Sequence, residues 1–149
     1  MYRSHNCGEL RIKHVGQEVK LSGWIHKIRD KGSLIWIDLR DRYGITQIII
    51  DTNESSKNLF EQVKKVGREY VISVKGMVKE RESKNPNIGT GDVEITLQEI
   101  EILNKSEVPP FTLDENTDGG DELRMKYRYL DIRRNSIKTV SYTHLTLPT

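Results

Sequence analysis

Six side chains in the first hundred residues have the chemistry to hold a flat, polar ligand: Arg29, Trp36, Gln47, Arg81, Asn85 and Glu94. The indole of Trp36 can stack on a planar ring, worth roughly 1–3 kcal/mol per base if it is exposed. Gln47 carries an amide donor and an amide acceptor side by side, a match for the edge of a base. Arg29 supplies a fork of guanidinium donors that suits a base or a phosphate. Arg81 and Asn85 share a Pro/Gly/Asn-rich stretch with Lys84, and Glu94 follows it. A carboxylate repels phosphates, so beside a basic loop it would suit accepting from base amino groups. Each residue also has a plain reading. Trp36 could cap a hydrophobic core, Glu94 could form a salt bridge worth about 0–1 kcal/mol, and the others could be solvated surface groups. Which reading holds depends on the faces the elements give them.

The stretch "SLIWIDLRDRYGITQIII", residues 33–50, reads as strand, turn and strand. Alternation sends Ile35, Ile37 and Leu39 to one face and Trp36, Asp38 and Arg40 to the other. Before it, "EVKLSGWIHKIRD" alternates Val19, Leu21, Gly23 and Ile25 against Lys20, Ser22, Trp24 and His26, a long first strand whose mid-strand glycine suggests a bend or bulge. "SSKNLFEQVKKVGREY" changes period: Leu59, Phe60, Val63 and Val66 mark one short helix, capped at Ser55 or Ser56 and ended at Gly67. Strand four follows, with Ile72, Val74, Gly76 and Val78 on one face. Strand five starts with Val93, Ile95 and Leu97 inward and then changes parity to Ile100 and Ile102, which a bulge near Gln98 explains.

Three strands, a helix and two strands, led by a long bent first strand, are the order of a five-stranded Greek-key barrel of the OB type. The expected class is all-β with one short helix. Barrel residues run over 1–103, a Pro/Gly/acidic linker over 104–120, and a basic, aromatic segment over 121–139, where Leu123, Tyr127 and Leu130 at helical spacing open the first helix of a second domain. OB barrels bind single-stranded nucleic acid on strands two and three and the flanking loops, the region that holds Trp36 and Gln47.

Other classes fit poorly. Net charge is only +2, so any nucleic-acid function must rest on local arrangement. The single cysteine, Cys7, excludes an internal disulfide or a multi-cysteine metal site and reads as a partly buried small apolar residue. The four histidines lack metal-ligand spacing, and "NIGTG" lacks the lysine and helix of a phosphate-binding loop. Asp38 and Asp41 beside Arg40 and Arg42 read as a strand-end salt-bridge cluster, not an acid/base pair. No catalytic or metal-binding residue is expected. No apolar run approaches the roughly 18 residues of a membrane span, and "MYRSHNCGEL" is not a secretory signal, so a cytoplasmic location is expected.

The segments "CGEL", "HVGQEVKLSGWIHKIRDKGSLIWIDLRDRYGITQIIID", "NPNIGTGDVEI" and "LRMKYRYLDIRR" closely resemble, in order and spacing, the N-terminal part of bacterial-type aspartyl-tRNA synthetases, from about Tyr2 to about Lys138. The resemblance implies a class II enzyme whose OB domain grips the anticodon loop of tRNA. It also implies a homodimeric parent that joins aspartate to tRNA using ATP and Mg2+ in a catalytic domain beyond "YLDIRR". The fragment by itself would then need no cofactor and be inactive. Anticodon contacts carry over to Arg29, Trp36, Gln47, Arg81, Asn85 and Glu94, with Trp36 standing where phenylalanine is usual. The last ten residues, 140–149, depart from the family, being rich in β-branched residues and carrying a proline, and read as a non-native tail. Two rivals stand beside this reading: the same domain of an asparaginyl- or lysyl-tRNA synthetase, and a free-standing single-strand-binding OB protein. Sequencing the genomic locus separates them. Only a synthetase reading requires a class II catalytic domain in frame after Lys138, and an intact frame ending in residues 140–149 overturns the foreign-tail expectation.

Overall fold

Strict alternation of aliphatic and polar residues builds five strands that close on themselves. In the computed structural model, which describes residues 2–111, 113 and 119–134, these are β1 (Glu18–Asp30), β2 (Leu34–Arg40), β3 (Ile45–Asp51), β4 (Val71–Glu80) and β5 (Val93–Asn104). Their order around the closed barrel is β1-β2-β3-β5-β4. All neighbours run antiparallel except β3 and β5, which are parallel. The inward positions are Val19, Leu21 and Ile25 on β1, Ile35, Ile37 and Leu39 on β2, Ile48 and Ile50 on β3, Ile72, Val74 and Val78 on β4, and Val93, Ile95 and Leu97 on β5, all buried. Each such side chain contributes about 1.5–3 kcal/mol by leaving water. The expected all-β barrel of the OB type is therefore the fold observed.

Three register shifts interrupt the ladders, one on β1 and two on β5, the last at Leu103. On β1 the register with β2 slips between Ile25 and Lys27, so His26 is the extra residue. The bulge falls three residues after Gly23. Gly23 has a different role: a β-carbon there would come within 2.3 Å of the Arg40 carbonyl, so its lack of a side chain lets β1 and β2 approach closely. On β5, Lys75 faces Glu99 while Gly76 faces Leu97, leaving Gln98 as the bulged residue where the parity change required one. Ile100 and Ile102 then pack, partly buried, against the core.

Helix α1 (Lys57–Lys64) joins β3 to β4, with the Ser56 hydroxyl accepting from the Leu59 amide at 3.2 Å as its N-cap. Leu59 and Val63 are buried, and Phe60 and Val66 pack beside them. The helix stops at Lys64, earlier than the expected end at Gly67. The left-handed residue of this connection is Glu69, with φ 66°. A non-glycine residue is held there because both carboxylate oxygens of Glu69 accept from Arg40, at 2.9 and 3.2 Å, and its amide donates to the Ile25 carbonyl at 2.8 Å.

The residues preceding β1 close one end of the barrel. Cys7 and Leu10 are fully buried, and burial pushes the Cys7 thiol pKa far up, with the nearby Asp41 carboxylate adding to it. The Asp41 carboxylate accepts from the amides of Cys7, Tyr43 and Gly44, with Arg3 3.6 Å away. The expected cluster of Asp38, Arg40, Asp41 and Arg42 therefore does not form. Arg40 pairs with Glu69 and donates to His26, while Asp38 pairs with Arg29. Backbone turns and a loop carboxylate outcompete near neighbours along the chain.

The chain divides into units Met1–Val108 and Pro109–Thr149. The division falls inside the segment read as a linker. In the second unit Phe111 is buried, and two short helices follow, α2 (Asp121–Lys126) and α3 (Arg128–Asp131), broken at Tyr127 where one continuous helix was expected. The Asp131 carboxylate accepts from Arg124 at 3.2 Å and Arg134 at 2.8 Å. Burial favours its neutral form, but these bonds and charges prevail and hold its pKa below the usual carboxylate value. Residues 140–149 lie outside the described residues.

A β-carbon at Gly76 would sit 2.2 Å from the Thr96 carbonyl. Gly76→Ala is therefore expected to lower unfolding free energy by about 1–3 kcal/mol, and Ile37→Ala, which empties the core, by about 2–5 kcal/mol. Urea titration monitored by circular dichroism measures both.

Candidate nucleic-acid interface

Strand register, not sequence proximity, assembles the outer face. Lys27 pairs with Asp38 and Asp38 with Gln47. Gln47 lies beside Glu94 across the parallel β3–β5 contact, and Glu94 pairs with Lys79. One polar row thus crosses all five strands. The adjacent row is Arg29, Trp36, Ile49, Thr96 and Met77.

The polar row is joined by a chain of contacts that runs between the two rows. Arg29 Nη2 donates to Gln47 Oε1 at 2.9 Å and to Asp38 Oδ1 at 3.3 Å. Gln47 Nε2 donates to Glu94 Oε2 at 2.8 Å, and Lys79 Nζ lies 3.5 Å from Glu94 Oε1. The amide orientation of Gln47 is forced, since flipping it would set N–H against a guanidinium and C=O against a carboxylate. Gln47 is only 5 % exposed although it points outward, because its neighbours cover it. Its position is therefore different from the open reader the sequence suggested. Gln47 is a spacer between a half-exposed donor group, Arg29, and an acceptor group, Glu94, that is as covered as Gln47 itself.

Trp36 is half-buried and points away from Ile35 and Ile37. It is not among the residues of the barrel core. The Lys31 ammonium, from the β1–β2 turn, sits 5.8 Å from its ring centre. An indole in this position points outward with a cation over its ring, a combination that suits a base with its phosphate.

Arg81 and Asn85 occupy the β4–β5 loop. The Arg81 amide donates to the Asp92 carbonyl at 3.0 Å, one pair beyond the end of the β4–β5 ladder, so Arg81 is adjacent in register to the Lys79–Glu94 pair. Asn85 Oδ1 accepts from the Asn87 amide at 3.0 Å, and its backbone amide donates to Gly91. Its side chain therefore shapes the loop. Lys84 reaches Glu80 at 2.7 Å. Register and hydrogen bonds bring Arg29, Trp36, Gln47 and Glu94 together; Arg81 borders them and Asn85 holds the loop. Alternation put Asp38 on this face, but sequence reasoning missed it, Lys79 and Lys31 as members of the site. Asp38 and Lys79 were detectable only through strand register, and Lys31 looked like an ordinary turn residue. Among the described residues no group of three or more His, Cys, Asp and Glu side chains could hold a metal ion, and no helix is long and apolar enough to cross a membrane.

Comparison with known proteins agrees with this architecture. A family described as "OB-fold nucleic acid binding domain" matches residues 19–103. The chain is 60% identical over 138 residues to an aspartate–tRNA ligase of Flavobacterium psychrophilum, covering 93% of this chain and 24% of that protein. The chain thus spans about a quarter of the length of the curated relatives it matches. An asparaginyl-tRNA synthetase of Pyrococcus horikoshii, solved with asparaginyl-adenylate, superposes with a TM-score of 0.71 at 30% identity, covering 89% of this chain and 29% of that one. The OBody AM2EP06, solved bound to hen egg-white lysozyme, superposes at 0.63 with 29% identity, covering 70% of this chain and 95% of that one.

Glu94→Ala leaves the buried Gln47 amide without its acceptor and is expected to cost about 1–3 kcal/mol of stability. Lys79→Ala removes a partner whose side chain is 49% exposed and should cost under about 1 kcal/mol. Thermal denaturation of the two variants side by side checks this ordering.

Proposed function

The chain belongs to the OB-fold nucleic acid binding family, and on that premise we propose that it is the anticodon-binding domain of an aspartate–tRNA ligase. The observation that carries the reading is the outer face on which Trp36 pairs across strands with Arg29, the half-exposed end of the Arg29–Gln47–Glu94 chain. A base stacked on Trp36 would bring the edge of a neighbouring base to the half-exposed Arg29 donors, whose guanidinium is held from behind by the covered Gln47–Glu94 pair. Arg81 and Asn85 would contact the loop from the β4–β5 side. The similarity to the ligases extends over 138 residues, past the end of β5 at Asn104, which favours this reading over a free-standing barrel. Identity of 60% to an aspartate–tRNA ligase against 30% to an asparaginyl-tRNA synthetase favours aspartate.

The parent protein would attach aspartate to tRNA with ATP and Mg2+, as a cytoplasmic homodimer. The described residues do not fit that metal. They offer no acidic or histidine cluster to hold Mg2+, so no chemical step is assigned to them. Their part is recognition: the barrel orients the tRNA so that the rest of the protein can act on its far end.

Trp36→Ala is expected to weaken binding of an aspartate-tRNA anticodon stem-loop by about 1–3 kcal/mol, with the melting temperature nearly unchanged. Fluorescence anisotropy of a labelled stem-loop and a thermal melt on the same sample measure both. A large loss of stability with no separate binding defect would make Trp36 a core residue and refute its role.

A further inference from the structure

A second aromatic lies uncovered on the barrel. Trp24 points outward from β1 and is 41% exposed, at the wall of a groove of about 490 Å³ between the residues before β1, the middle of β1 and the β2–β3 turn. Val71 and Tyr2 form other walls, and Arg3 and Arg42 stand at the rim. Tyr2 is anchored there, its carbonyl accepting from the Ser22 hydroxyl at 2.6 Å and the Ser73 hydroxyl at 3.3 Å. Both guanidiniums lie over the Tyr43 ring, each 5.4 Å from its centre. The acid in the lining, Asp41, is turned inward: its carboxylate is 6% exposed, accepts three backbone amides and lies 3.6 Å from Arg3, offsetting one of the two guanidiniums and leaving the lining net positive. The rim therefore presents positive charge.

We propose that this groove binds one nucleotide of single-stranded RNA, its base stacked on Trp24 and its phosphate between Arg3 and Arg42. The inference rests on reading the chain as a nucleic-acid-binding domain and adds a site to it. Charge complementarity and an open π-face together suit a nucleotide, because every base has a face to stack and every phosphate takes guanidinium donors. An extended peptide fits less well. Peptides that bind a strand need its free backbone edge, and β1 has none at Trp24, which pairs with Arg40 on one side and Val71 on the other. The groove also lacks the donor and acceptor row seen around Gln47, so it grips without reading sequence. Arg40, the partner of Trp24, is four residues along β2 from Trp36, roughly 13 Å, so the two stacking sites are separate.

The chain has two tryptophans, so Trp36→Phe leaves Trp24 as the reporter while keeping a ring at position 36. Titrating that variant with an unstructured oligo(A) hexaribonucleotide should quench Trp24 fluorescence saturably. Adding R3Q and R42Q should weaken binding and flatten the log–log salt dependence by about 0.7 for each phosphate no longer neutralised. In the otherwise unaltered chain, Trp24→Ala should weaken binding of a labelled hexamer, read by anisotropy, by about 5- to 150-fold. Absence of quenching while an anticodon stem-loop still binds overturns the groove site and leaves the domain's proposed function standing. If neither RNA binds, both fall. Quenching by an acidic tyrosine-containing peptide but not by RNA makes this a peptide site and overturns the proposal.

Discussion

The closure of five strands through β1 is the constraint on which the rest of the structure depends. β1 pairs with β4 through its first half and with β2 through its second, the two ladders meeting at Trp24, and His26 is bulged out just beyond, between Ile25 and Lys27. A sheet closed in this way pairs β1 on both sides at Trp24, and its interior accepts one set of aliphatic side chains. The outward positions are then no longer independent. Each is placed in a row that crosses strands distant in sequence, and the row from Lys27 to Lys79 draws on all five.

Burial on the outer face follows from that geometry. Gln47 and Glu94 point away from the core yet are about as buried as core residues, at 5% each. Polar groups covered to this extent are costly unless paired, and the chain Asp38–Arg29–Gln47–Glu94–Lys79 pairs them with alternating sign. The same pairing fixes the side chains before any ligand arrives, which lowers the ordering entropy that recognition would otherwise cost. Within the chain Lys79 and Arg29 are about half exposed, whereas Glu94 between them is covered and held on two sides.

The exposed aromatics serve this surface in different ways. Trp36 pairs across strands with the half-exposed Arg29, where stacking and edge recognition can act on the same ligand. Trp24 sits among apolar walls and guanidiniums, where stacking and charge can act without reading an edge. A barrel of about one hundred residues thus has room for a discriminating face and an undiscriminating one, because a closed sheet presents outward residues on every side.

The alternation of Ile35, Ile37 and Leu39 against Trp36, the helical spacing of Leu59 and Val63, and the parity change at Gln98 were legible in the chain itself, since side-chain period depends only on local backbone geometry. The same local rule put Trp36 outside. It misjudged the turn before β4, because nothing local announces that Glu69 adopts a left-handed φ; that follows from Arg40, twenty-nine residues earlier. It also grouped Arg40 with Asp38, which closure separates by giving each a partner on another strand. By itself, then, the sequence determined which residues face the core, how many strands there are and in what order they occur. Only the tertiary structure decided that Gln47 is a covered spacer and that Asp38 and Lys79 belong to the candidate site. The reason is physical: hydrogen bonds between side chains require register across strands, and register is a property of the closed barrel.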